Sequence, residues 1–143
     1  MSDPFRSIDD YELYIYTLAE MFAIVQRSTV VVVRRGATLA RVEGEIYFDQ
    51  DIRLVVRERL LFDRQPGLID SYGYEVWKQE EKLYWYDSQP HPAEASLQTN
   101  HPHHKHIPPD IKHHRVPALT MSFTRANLPH LISEIEEILV TGK

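Results

Sequence analysis

The chain has 143 residues, 43% hydrophobic and 10% aromatic, and carries a net charge of −5 with its histidines neutral. That suits a single folded domain spanning residues 1–143, and it argues against tight non-specific binding of nucleic acid through overall charge. The absence of cysteine excludes disulfides, iron–sulfur clusters, cysteine-type zinc sites and thiol catalysis. Nothing resembles a secretory signal and no apolar run is long enough to span a bilayer, so a cytoplasmic location is the expectation.

Ser7-Ile8-Asp9-Asp10 reads as a helix start, with a capping serine and acidic residues in the first turn. Apolar residues then recur at Tyr11, Tyr14, Ile15, Leu18, Met21, Phe22 and Val25, the three-and-four spacing of one helix face running to about Arg27. Ser28 to Arg35 is rich in β-branched residues and predicts the first strand. From Ala40 the chain alternates, with Ala40, Val42, Gly44, Ile46 and Phe48 on one face and Arg41, Glu43, Glu45 and Tyr47 on the other. A third strand follows the turn at Asp49-Gln50-Asp51, burying Ile52, Leu54, Val56 and Leu60 and exposing Arg53, Arg57 and Arg59. A hairpin symmetric about Gln50 sets Glu43 across from Arg57. Glu58 breaks the pattern by falling on the apolar face, which suggests either a place near the sheet edge or membership of a site, the edge being the expectation.

Pro66-Gly67 marks the next turn, and Leu68 to Lys78 reads as a fourth strand with Tyr72, Tyr74 and Val76 on one face. Lys82 to Asp87 is the fifth. The expected architecture is therefore α+β: an N-terminal helix, a five-stranded antiparallel sheet, a long His/Pro-rich loop at about 88–117, and a C-terminal helix from about Leu128 to Val140. Its polar sheet face would carry Arg41, Glu43, Glu45, Arg57, Arg59 and either Tyr72 or Tyr84.

The loop holds most of the chemistry. Six of the eight histidines fall between residues 101 and 114, punctuated by prolines 102, 108, 109 and 117, which argue against helix and regular strand. Lys105, Lys112 and Arg115 against Asp110 make the segment locally positive on an acidic body. Imidazole titrates near neutral pH and ligates metals. Two chemistries fit. RNA cleavage needs a base for the 2′-hydroxyl, an acid for the leaving 5′-oxygen and cations for the phosphorane, and two imidazoles with Lys or Arg supply these without metal. Alternatively, His101, His103, His106 and His113, with Asp87 or Asp110, can hold zinc or another divalent transition metal, although their spacing matches no standard zinc module.

The order Tyr72-Gly73-Tyr74, then Leu83-Tyr84-Trp85-Tyr86-Asp87-Ser88-Gln89-Pro90-His91, then His101-Pro102-His103-His104-Lys105-His106 and an amphipathic C-terminal helix resembles the TumE family over about residues 10–140. The resemblance implies the toxin half of a toxin–antitoxin pair, a ribonuclease neutralised by a cognate antitoxin. The helix-plus-sheet layout is similar to that of RelE-like RNase toxins. On our own reading of the residues, His103 and His106 are acid and base, with His104 and His91 as substitutes. Lys105, Arg57 and Arg59 hold phosphate, and Tyr72, Tyr84, Tyr86 and Asp87 contact the RNA. No cofactor is expected on this reading, and a homo-oligomer is compatible with it. The competing expectation is a non-catalytic module whose histidine loop binds a metal or a partner.

Overall fold

The computed structural model describes residues 3–90, 93–98 and 100–142. The N-terminal helix is shorter than its apolar stripe. Ser7 caps it through its hydroxyl, which accepts from Asp10 N at 3.0 Å. The helix then runs as α1 (Ile8–Tyr16) and, after a break at Thr17, α2 (Leu18–Met21). Thr17 Oγ1 donates to Leu13 O at 2.6 Å, giving the backbone an alternative to helical continuation.

Among the described residues the sheet has eight antiparallel strands rather than the five expected: β1 (Arg27–Ser28), β2 (Val31–Arg35), β3 (Leu39–Tyr47), β4 (Ile52–Leu61), β5 (Leu68–Lys78), β6 (Glu81–Asp87), β7 (His104–His106) and β8 (Arg115–Pro117). Their order is β1-β3-β4-β5-β6-β7-β8, with β2 also on β3. Two causes account for the three additional strands. The predicted first strand divides into β1 and β2 where Thr29 and Val30 cross Gly44, a residue at φ 147°. A Cβ there would lie 2.6 Å from Val30 Cα, so only glycine allows the crossing. The histidine segment, expected as irregular loop, supplies β7 and β8. Pro102, Pro108 and Pro109 flank β7 without interrupting it, and Pro117 ends β8 at the sheet margin, where a missing N–H costs no ladder bond.

The long strands keep the predicted faces and register, including Glu43 opposite Arg57. One face is covered by α1 and by α3 (Leu128–Thr141), which buries Leu128, Leu131, Ile132 and Ile135 against Leu54, Val56, Tyr74 and Val76 in a single hydrophobic cluster. Glu58 belongs to this face and not to an edge. It lies in the interior strand β4, is 4% exposed, and accepts hydrogen bonds from the hydroxyls of Tyr11 and Tyr74. No helix among the described residues is long and apolar enough to cross a membrane.

Candidate functional site

Strand β7 pairs with β6 so that His104 stands opposite Asp87 and His106 opposite Trp85. Side chains alternate along a strand, so His104 and His106 share the face away from the helices, while His103 and Lys105 point toward the helices. This parity decides which of the predicted residues meet.

On the open face, Asp87 lies between two imidazoles. His104 Nε2 is 2.8 Å from Asp87 Oδ1, and His106 Nε2 is 3.4 Å from Oδ2. The other nitrogen of each ring is tied to backbone, His104 Nδ1 to Pro102 O at 3.1 Å and His106 Nδ1 to Ile111 O at 2.9 Å. Trp85 packs against His106, with ring centroids 4.2 Å apart, and its indole N–H donates to the same Ile111 carbonyl at 3.2 Å. The turn around Ile111 therefore folds over the pair, and both imidazoles are buried while the Asp87 side chain keeps 18% exposure. Burial works to raise the Asp87 carboxyl, but the hydrogen bonds from His104, His106 and Gln89 N outweigh it and hold the group well below the usual carboxylate range. Burial likewise disfavours charge on His104, and Asp87 with the Pro102 carbonyl overcomes it, raising that imidazole.

Asp87 opens onto a cleft of ≈ 640 Å³ lined by Arg57, Ser71, Tyr72, Trp85, Ser88 and Phe123, among others. Arg57, Gly73 and Asp87 form one cross-strand row. At ordinary strand spacing, the Cα atoms of Arg57 and Asp87 are about 10 Å apart. Gly73 leaves the floor between them bare: a Cβ on it would lie 2.6 Å from Arg57 Nη2, so the guanidinium lies over the glycine. Glu75 holds the same group at 3.6 Å. A second depression of ≈ 320 Å³ shares Arg57, Ser71 and Tyr72 with the first and adds Arg41 and Arg59. The result is a path that carries Arg41, Arg57 and Arg59, each beside an acidic neighbour (Glu43, Glu75 and Asp70), and leads to a carboxylate–imidazole cluster.

Other predicted residues lie elsewhere. His103 is on the helix side, stacked on Tyr72 with its Nδ1 2.6 Å from the tyrosine oxygen, and burial lowers its basicity. It does not meet His106, because an offset of three positions puts the two on opposite faces. Lys105 is also on the helix side, 4.4 Å above the Tyr84 ring and 3.5 Å from Glu134, and so away from Arg57 and Arg59. Tyr84 and Tyr86 face α3, with Tyr86 donating to Glu134 at 2.7 Å. Tyr72 and Tyr84 therefore belong to the covered face, although Tyr72 also borders the clefts. Of the metal set His101, His103, His106 and His113, His106 is buried on the open face and His103 on the helix side, while His101 is exposed and His113 is exposed beside Asp110. His91 lies outside the described residues.

The site also holds residues that sequence reasoning passed over. Trp85 was read only as strand, yet it lines the cleft. Gly73, a glycine inside a strand otherwise rich in β-branched and aromatic residues, carried the one available signal, since such a position often marks a close approach.

Comparison with curated proteins and with solved structures returned no match. The family model described as Toxin TumE matches residues 15–139, which takes in every strand and the site just described. The chain thus belongs to the TumE family of toxins, the toxin partners of cognate antitoxins.

Proposed function

We propose that this toxin is an endoribonuclease that cleaves RNA in the cleft between Arg57 and Asp87. The observation that carries the reading is the meeting of a buried carboxylate–imidazole cluster with an arginine-lined path on one sheet face. Phosphodiester cleavage needs positive charge at the phosphate and a group that manages the proton of the attacking hydroxyl. Arg57 serves as the phosphate contact, Arg41 and Arg59 follow the backbone of a single strand, and Trp85, which lines the cleft with Lys82 and His106 against its ring, borders the base. Asp87, His104 and His106 carry the chemistry. His103 leaves the catalytic set, because its ring is engaged with Tyr72 on the other face.

Attack of the 2′-hydroxyl on the adjacent phosphorus would release the 5′-oxygen and leave a 2′,3′-cyclic phosphate. The test incubates purified protein with a mixed RNA pool and identifies the new termini. We expect cyclic phosphate and 5′-hydroxyl ends from the native chain, and loss of cleavage in Asp87→Asn and His104→Asn. His103→Asn should keep its termini chemistry even where it lowers stability. Intact RNA under all conditions, both free and on ribosomes, would refute the reading.

A further inference from the structure

We infer that Asp87, His104 and His106 bind one divalent transition-metal ion, with zinc as the best match to the donor set. The proposal takes its catalytic meaning from the ribonuclease reading above, but occupancy of the site stands on geometry alone.

The first argument concerns hydrogen positions. A carbonyl oxygen only accepts, so the Pro102 and Ile111 carbonyls place the proton of each neutral ring on Nδ1. Each Nε2 then presents a lone pair, and both aim at Asp87, a carboxylate that also only accepts. Three electron-pair donors thus converge on one point. The two rings lie side by side, with centroids 5.0 Å apart. A single divalent cation satisfies all three groups. Metal-bound histidines ordinarily donate their other N–H to a backbone carbonyl or carboxylate, which fixes the tautomer and the ring plane, and both rings here do so.

The second argument concerns distance. The three ligand atoms all lie within 4.8 Å of one another. Bonds of about 2.0–2.1 Å to a tetrahedral zinc separate its ligands by about 3.3 Å. The observed 2.8 and 3.4 Å bracket that value for the two carboxylate–imidazole pairs, and the two imidazole ligand atoms lie within 4.8 Å of each other.

The third argument concerns access. The imidazoles are buried while the carboxylate reaches the cleft. Three protein ligands with a fourth position toward a cleft is the arrangement of catalytic zinc sites, where structural sites are closed by four. Two nitrogens and one oxygen suit zinc, and also cobalt or nickel, better than magnesium or calcium. The site differs in both membership and logic from a chelating histidine tail, since the exposed His101, His113 and His114 take no part.

The test starts from full-length protein stripped with a chelator. Zinc is titrated by calorimetry, cobalt by visible absorption, and zinc again by the fluorescence of Trp85 in a Trp77→Phe background, because His106 packs on that indole. We expect one ion per chain, a tetrahedral cobalt spectrum and a change in Trp85 emission. Asp87→Asn and, independently, His106→Gln should each weaken binding by about 100-fold or more, beyond the 10–100-fold typical of losing a second-shell partner. His113→Asn/His114→Asn should leave binding unchanged. Circular dichroism establishes that each variant is folded, and the wild-type titration stands even where one variant is not. Absence of saturable binding would overturn the inference, as would binding that persists in Asp87→Asn and His106→Gln but disappears in His113→Asn/His114→Asn. The latter means an adventitious ion only. One-to-one binding without any RNA cleavage would retain the metal site and remove the ribonuclease reading. Full-rate cleavage by a protein that binds no ion would do the reverse.

Discussion

Two carboxylates in this sheet are each held between a pair of side chains, and the contrast separates structure from chemistry. Glu58 lies on the helix-covered face between the hydroxyls of Tyr11 and Tyr74, with Asn127 donating onward to Tyr74 at 3.1 Å. Asp87 lies on the open face between His104 and His106. Around Glu58 each carboxylate oxygen accepts from a tyrosine hydroxyl, and donors meet acceptors. Around Asp87 two imidazoles present Nε2 to the carboxylate, each with Nδ1 tied to a backbone carbonyl, and the carboxylate reaches a cleft. A satisfied buried network rigidifies a core. A carboxylate and two imidazoles that converge beside a cleft can share a proton or hold an ion, and both proposals rest on that.

The largest expected effects come from deleting each carboxylate. Asp87→Asn should lower RNA cleavage by about 100-fold or more, in the range of lost acid–base or metal-assisted catalysis, while the melting temperature changes little. Glu58→Ala should do the opposite. It leaves two buried tyrosine hydroxyls without an acceptor, at about 1–3 kcal/mol each, so a denaturant midpoint should fall sharply. If Asp87→Asn unfolds the protein, or Glu58→Ala silences it without loss of stability, the two sites have been assigned the wrong way round.

Acidity sharpens the contrast. Burial raises the Glu58 carboxyl above its ordinary value, although hydrogen bonds from Tyr11 and Tyr74 pull it back in part. The native state therefore holds this proton more tightly than the unfolded chain does. Its stabilising contribution is complete below the unfolded carboxyl value of about 4.3, declines as pH rises through the elevated folded value, and is absent above it. Glu58→Gln keeps the shape and removes the titration. Chemical denaturation from weakly acidic to neutral pH should show a decline in the native protein that is missing in Glu58→Gln. Parallel curves would show that Glu58 does not titrate in that window.

The long strands were legible because their alternation is local. Arg41, Glu43, Arg57 and Arg59 could be assigned to the polar face, and the Glu43–Arg57 pair followed from the turn at Gln50. The histidine strand was not legible. Three residues between prolines carry no hydrophobic period, and β7 exists because the free edge of β6 offers a ladder to a segment seventeen residues away. The error propagated: in an irregular loop His103 and His106 can meet, but in a strand they cannot. Glu58 failed for the same reason in reverse, since its acceptable burial depends on tyrosines supplied by α1 and β5. Non-local partners decided both carboxylates, and no window of neighbouring residues contains them.

The smallest expected effect probes the ground between the site and the arginine path. Gly73→Ala adds one methyl group where the Arg57 guanidinium lies, 2.6 Å from Nη2. The backbone there is ordinary strand, and the displaced group is the end of a flexible side chain, so stability should change by less than about 1 kcal/mol. Arg57 should swing away from the row it shares with Asp87. If it holds phosphate equally in the ground and transition states, KM should rise several-fold with kcat little changed. Arg57→Ala should produce the larger rise and reduce the salt dependence of RNA binding by about one phosphate contact. Combining the two substitutions should add nothing beyond Arg57→Ala alone, because the methyl group acts only through the guanidinium. An additive double variant would mean that Gly73 matters for the RNA directly, as bare floor beneath the strand.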